Sequence, residues 1–231
     1  MEVRVLTTGR VRGKRAASGL RRYLADDWAE ETLPVHAFLV EHPDGSVLFD
    51  TGQTARAAEP GWFPRWYPFF RLSRFELGPE DEVAAQLARP EDVRLLVLSH
   101  LHTDHVGGLD AFAHADVVVV RAEWERATGL GGRLRGYLPQ RWPAGIRPRL
   151  VDVDGPPLGP FPATHDLLGD GRLVLVPLPG HTPSHAGLLV RDEARTLLLA
   201  GDAQVESEEL LVLGAHDERA PTLLERAKVA S

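Results

Sequence analysis

Apolar positions along the chain fall in many short runs cut by Gly and Pro, with few stretches of helical period. E-V-R-V-L (2–6), H-A-F-L-V-E (36–41) and S-V-L-F-D (46–50) read as strands, the last two joined by H-P-D-G, a hairpin-turn sequence. R-L-L-V-L-S (94–99) and D-V-V-V-V (116–120) are too uniformly apolar to have one wet face and predict buried strands. Four more strand-like runs follow at 148–153, 172–177, 186–191 and 195–202. Helical patterns are sparse. Residues 79–89, P-E-D-E-V-A-A-Q-L-A-R, combine an acidic first turn with a basic end, as the helix dipole favours. A-E-W-E-R (122–126) predicts a short helix, and A-P-T-L-L-E-R-A-K-V-A (220–230) a C-terminal one with Pro221 near its start. Residues 129–149, rich in Gly, Pro and Arg, read as a surface loop. Without an internal repeat or a clear boundary, residues 1–231 are expected to form a single domain. Strands on either side of a helical middle suggest a layered α/β (α+β) sandwich, two sheets with helices outside.

Composition narrows the chemistry. The chain has 231 residues and a net charge of −7, which implies no basic face and no nucleic-acid partner. The start lacks a basic region followed by an apolar core, and no apolar run is long enough to span a bilayer. A cytoplasmic protein without a membrane partner is the expectation. The absence of Cys excludes disulfides, thiolate metal sites and Cys nucleophiles together. Any metal here must be held by His, Asp or Glu.

S-H-L-H-T-D-H-V-G-G (99–108) offers such a set directly after a buried strand: His100, His102, Asp104 and His105, followed by two glycines that let the backbone turn closely. Imidazole and carboxylate suit zinc, iron or manganese. Solvated loop histidines are the bland alternative. L-P-G-H-T-P-S-H-A-G (178–187) brings His181 and His185 between two strand-like runs, and L-L-L-A-G-D-A (197–203) ends a strand on Asp202. A carboxylate in that position can bridge two ions, one on each oxygen.

In order and spacing, S-H-L-H-T-D-H-V-G-G, P-G-H-T-P-S-H and A-G-D-A resemble the metallo-β-lactamase superfamily, as does L-F-D-T-G at 48–52. Within it, the layout looks most like N-acyl-homoserine lactonases. The resemblance implies an αβ/βα sandwich, two mixed sheets with a two-metal site along one edge. It implies two divalent cations, zinc first, with iron or manganese as alternatives. His100, His102 and His181 would hold one ion, Asp104 and His105 the other, and Asp202 would bridge them. His185 would orient a ligand, and Asp50 would hydrogen-bond to the site's loop. The implied reaction opens a lactone or related ester with a hydroxide held between the ions, Asp104 carrying the proton to the leaving oxygen. A glyoxalase-II-like thioesterase and a metal-binding but inactive scaffold are the alternatives.

The chain departs from that pattern in two places. Family members carry one more metal-binding His on a G-H-D-like turn after the helix that follows the bridging Asp. His216, in G-A-H-D (214–217), precedes the helical 220–230 segment and so reads as a loop residue. The last ligand and last strand are then expected to be missing, as in a C-terminally truncated domain. Known lactonases also place a Tyr three positions after the bridging Asp, where this chain has Val205. Seven aromatics crowd residues 61–75, G-W-F-P-R-W-Y-P-F-F-R-L-S-R-F. They suggest a flap, with Trp62 and Phe63 meeting the apolar tail of a small-molecule substrate. A homodimer interface through 61–75 and local packing are the competing readings.

Overall fold

The computed structural model describes residues 1–15, 24–64, 72–193, 195–207 and 210–229. Two mixed sheets pack face to face. The first, in the order β4-β1-β2-β3-β5-β6-β7, is built from β1 (Glu2–Gly13), β2 (Leu33–Glu41), β3 (Ser46–Phe49), β4 (Ser73–Glu76), β5 (Val93–Val97), β6 (Asp116–Val120) and β7 (Arg149–Val151). The second, in the order β12-β11-β10-β9-β8, is built from β8 (His165–Asp166), β9 (Leu173–Pro177), β10 (Ala186–Arg191), β11 (Thr196–Gly201) and β12 (Leu211–Gly214). The turn at 42–45 joins antiparallel β2 and β3, as its sequence predicts, while β3, β5, β6 and β7 run parallel.

Strand alternation assigns each apolar side chain to a layer. Phe38, Val40, Phe49, Leu95, Val97 and Val118 from the first sheet meet Leu175, Leu188 and Leu199 from the second in the central core. The intervening Leu39, Leu48, Leu96 and Val119 point outward into a second cluster, under the short helical segments that cover the first sheet. These include α1 (Val83–Gln86), α2 (Thr103–Val106) and α3 (Arg121–Thr128). On the outer face of the second sheet, Val176, Leu189, Leu198 and Ala200 are packed against Leu158, Phe161, Ala203 and Val205, all from connecting segments. That covering layer contains no helix among the described residues. The strand runs are buried on both faces because each sheet is covered on both sides, which is why they read as continuously apolar.

Three local expectations change. Residues 79–89 form a 3₁₀ turn, Pro79–Asp81, and the single-turn α1 instead of one helix. Glu82 between them is extended, and its carboxylate accepts from Thr54 Oγ1 (2.9 Å) and the Ala55 amide (2.7 Å). A tertiary contact thus overrides helical propensity. The 129–149 segment is not purely surface: Tyr137 and Leu138 are buried. Finally, a strand does follow Asp202. β12 lies parallel to β11 after only the residues 202–210, shorter than the dozen or more that parallel crossovers usually take. It precedes the last helix, α4 (Ala220–Val229). Among the described residues, no helix is long and apolar enough to cross a membrane.

Candidate metal centre

Topology delivers the polar residues to one edge. β3 and β5 are in parallel register up to Phe49 and Val97, so Asp50 and Ser99 emerge together. The Ala186 amide, at the start of β10, donates to the Ser99 carbonyl (3.0 Å) and ties the second sheet to that point. β11 ends at Gly201, in the left-handed region (φ 54), where a Cβ would lie 2.8 Å from His185 Nε2 and 2.9 Å from Ser99 Cβ. Gly201 thereby lets Asp202 approach the 99–105 loop closely. The end of β12 is stitched to both sheets, with the Ala215 amide on Gly201 O (2.8 Å) and the His36 amide on Ala215 O (2.9 Å).

Four of the imidazoles there, His100, His102, His105 and His216, are pinned by the outer nitrogen. Asp50, itself at φ 60, accepts from the Ser99 amide (2.8 Å), Ser99 Oγ (2.8 Å) and His105 Nδ1 (2.7 Å). With its proton given to Asp50, Ser99 Oγ accepts from His100 Nδ1 (3.0 Å). His102 Nε2 donates to the Arg135 carbonyl (3.0 Å), and His216 Nδ1 to the Pro34 carbonyl (2.6 Å). These partners fix the tautomers so that the other nitrogens present lone pairs inward. His100 Nε2 lies 3.2 Å from His102 Nδ1, which lies 2.8 Å from His181 Nε2. His105 Nε2 lies 2.9 Å from Asp202 Oδ1.

Facing acceptors need positive charge between them, either protons or a metal cation. Burial, joined by His105 and His102, holds His100 well below the ordinary histidine value. Burial and His181 lower His102 to about 4. Burial lowers His185 to about 3, and its Nε2 accepts from the Asp202 amide (3.2 Å). For His105 burial acts the other way from the net result: Asp202 and Asp50 outweigh it and raise the imidazole well above normal. Asp202 likewise overcomes burial at His216, raising it to about 9. His100 and His102 therefore resist protonation, and the three-imidazole group they form with His181 suits a divalent ion.

Three sets of donors lie within 4.8 Å of one another: His100, His102 and His181; His100, His105 and Asp202; and Asp104, His105 and His216. Asp202 links them, its Oδ1 being 3.3 Å from His216 Nε2 and its Oδ2 3.4 Å from His181 Nε2. Every sequence-predicted His and Asp ligand is thus in the cluster. His216 joins them, although sequence spacing alone assigns it to a loop. The short β11–β12 connection brings it back before the helix instead of after it.

Of the aromatic segment, the described residues support the local-packing reading at Trp62. Trp62 is 7% exposed and packs with Ala57, Leu138 and Phe63, and its ring lies under Arg141 (5.3 Å). Phe63 stacks on Phe75 at 5.9 Å. This is local packing, and it leaves Trp62 little surface for a substrate tail or a second subunit. Residues 65–71 of that segment lie outside the described residues.

Glu123 escapes sequence reading altogether. Fully buried on α3, it accepts from Tyr137 OH (2.8 Å), the Leu101 amide (3.3 Å) and Thr182 Oγ1 (2.9 Å). It therefore joins the His100–His102 loop to the His181 turn. The Tyr137 ring lies 4.9 Å from that of His102. The available signal was the helical spacing that puts Glu123 on one buried face with Ala127.

The family model of the metallo-beta-lactamase superfamily matches residues 31–229. An N-acyl homoserine lactonase AttM of Rhizobium radiobacter is 34% identical over 185 residues, 76% of this chain and 66% of that protein. A probable metallo-hydrolase, Rv2300c of Mycobacterium tuberculosis, is 37% identical over 177 residues, 73% of this chain and 56% of that protein. The chain thus spans just under two thirds of the AttM length. A solved N-acyl homoserine lactone hydrolase, with the product N-hexanoyl-L-homoserine at its catalytic metal centre, superposes with a TM-score of 0.65 at 21% identity. That match covers 99% of this chain and 87% of the solved one. A dizinc quorum-quenching lactonase, AidC, gives 0.55 at 19% identity, covering 87% and 70%.

Two outcomes follow from the geometry. Glu123→Ala leaves three buried donors without an acceptor, so denaturant melts should show a loss of about 3 kcal/mol or more. Glu123→Gln should lose much less, because the amide oxygen still accepts and the Thr182 hydroxyl can turn to accept in its place. After chelation, the raised His105 and His216 values stabilise the protein fully below about pH 6.5, and His216's share is lost as pH rises through about 9. The lowered His100, His102 and His185 values act oppositely, costing stability as pH falls below about 6.5. Melting temperatures of chelated protein should show the alkaline decline, and His216→Ala should flatten it.

Proposed function

The chain belongs to the metallo-beta-lactamase superfamily, and on that premise we propose that it is a hydrolase opening the ring ester of N-acyl homoserine lactones. The observation that carries the reading is Asp202, whose two oxygens face different donor groups: Oδ1 toward His105 and His216, Oδ2 toward His181. In this reading His100, His102 and His181 hold one divalent cation, and Asp104, His105 and His216 hold a second, with Asp202 shared. Zinc is the first choice for seven His and Asp donors without sulfur. The substrate class comes from the lactonase relatives.

When bound, two such cations supply an acidified water at neutral pH and positive charge for the developing oxyanion. The protein's residues supply the rest. Ser99, Arg135, Asp50 and Pro34 hold the imidazoles so that no ligand must reorganise during the reaction. His185 steadies Asp202 through its backbone amide. Asp104 has one oxygen 3.7 Å from His216 Nε2 and is partly accessible, so it can accept a proton and return it to the leaving oxygen. His216 beside Asp104 and His105 supports the active reading over an inactive scaffold. Nothing in the site favours a thioester over an oxygen ester.

Asp104→Asn keeps size and one oxygen donor while removing the basic site. Lactone hydrolysis should fall about 100-fold or more, while esters with good leaving groups should be hit least. A uniform loss in proportion to metal content would make Asp104 a ligand only. Elemental analysis of replete protein should give close to two ions per chain, and His216→Ala clearly fewer. An unchanged count in His216→Ala would remove it from the ligand set.

A further inference from the structure

β3 pairs with β2 over Phe38–Val40, which leaves the edge of β2 at residues 34–36 to the turn that carries His216. Backbone groups two residues apart in a strand point to the same edge, so Pro34 and His36 face that turn together. The His36 amide donates to Ala215 O (2.9 Å), and the Pro34 carbonyl accepts from His216 Nδ1 (2.6 Å). Proline suits this place, having no amide to leave unpaired at an edge. A third bond comes from a side chain: His36 Nε2 lies 3.2 Å from the carbonyl of Asp217. Residues 215, 216 and 217 are thus each tied to β2.

His36 is 2% exposed and meets the Phe38 ring edge-on at 6.4 Å. On such an apolar face both ring nitrogens must be satisfied. The Asp217 carbonyl can only accept, so Nε2 carries the proton. Thr7, opposite His36 on β1, then donates from Oγ1 to Nδ1 (3.1 Å). Burial lowers the pKa of the ring, which keeps it neutral with this one N–H near pH 7.

We propose that His36 is a positioning residue for the second cation: its Nε2–H on the Asp217 carbonyl fixes the 215–217 turn so that His216 Nε2 faces Asp104 and Asp202. The distances from His216 Nε2 to those carboxylates are 3.7 and 3.3 Å. A turn that slid by one ångström would carry the imidazole out of ligand range, although no ligand had been altered. His100 and His102 are set from other elements, by Ser99 and the Arg135 carbonyl. The influence of His36 is therefore confined to the second ion. The inference rests on the reading of His216 as a ligand of that ion.

The test titrates the metal-free full chain with zinc against a chromophoric chelator, so that each ion's affinity is read without turnover. His36→Phe keeps an aromatic ring on the Phe38 face but has no donor. It should bind the first ion as the unaltered protein does and the second about tenfold or more weakly. His36→Gln, whose side-chain amide can present an N–H where Nε2 stood, should regain most of that loss. A merely structural role would weaken both ions together and would not distinguish Gln from Phe; either result would overturn the proposal. Nitrogen NMR of the unaltered protein provides a test that needs no variant to fold. The His36 proton should sit on Nε2, both metal-free and zinc-loaded, whereas a proton on Nδ1 alone would turn a lone pair toward the Asp217 carbonyl and overturn the proposal. His216→Ala is titrated alongside. If it loses the second ion while His36→Phe keeps it, the positioning role falls and the two-cation reading stands. If His216→Ala keeps both ions, the ligand reading falls and takes the positioning role with it.

Discussion

A buried imidazole presents a lone pair inward only when its other nitrogen is occupied. At this sheet edge the chain supplies that occupant for His100, His102, His105 and His216. Asp50 is the pivot of the arrangement. It holds the Ser99 amide and hydroxyl and the His105 ring at once, and through Ser99 it also sets His100. The parallel pairing of β3 with β5 puts Asp50 and Ser99 side by side, and the Ala186–Ser99 bond docks the second sheet onto the same point. Remove that pivot and the lone pairs of His100 and His105 have no fixed direction.

Charge follows from the same geometry. Asp202 is surrounded closely enough by His105 and His216 that its carboxyl is held well below the usual range despite burial. In the chelated protein the raised His105 and His216 carry protons against the neighbouring carboxylates. A bound cation must displace those protons, which makes metal affinity pH-dependent. The all-imidazole side is different. Burial and the neighbouring rings keep His100 and His102 neutral, so they offer lone pairs with no proton to lose.

Much of this was legible in the sequence. Uniformly apolar runs announce strands covered on both faces, and H-x-H-x-D-H after such a run places its ligands at a strand end. What was not legible depends on long-range contacts. His216 carries no local mark distinguishing it from a loop histidine; its place is decided by the pairing of β12 with β11 and by Pro34 O, far away in sequence. Glu123 sits in an ordinary polar helical run, and its three donors come from Leu101, Tyr137 and Thr182. The 79–89 helix fails because Glu82 serves Thr54 and Ala55 instead of a helical turn. In the aromatic segment, composition leaves open where a ring will be buried, and Trp62 finds Ala57 and Leu138.

Central to the account is a pair of cations sharing Asp202, with His216 completing the second set. Anomalous diffraction at the zinc edge from crystals of zinc-loaded protein tests it most directly. The account predicts two peaks about 3.5–4 Å apart, one among His100, His102 and His181, the other among Asp104, His105 and His216, with one Asp202 oxygen on each. A single peak, or a second peak that His216 does not touch, would contradict it.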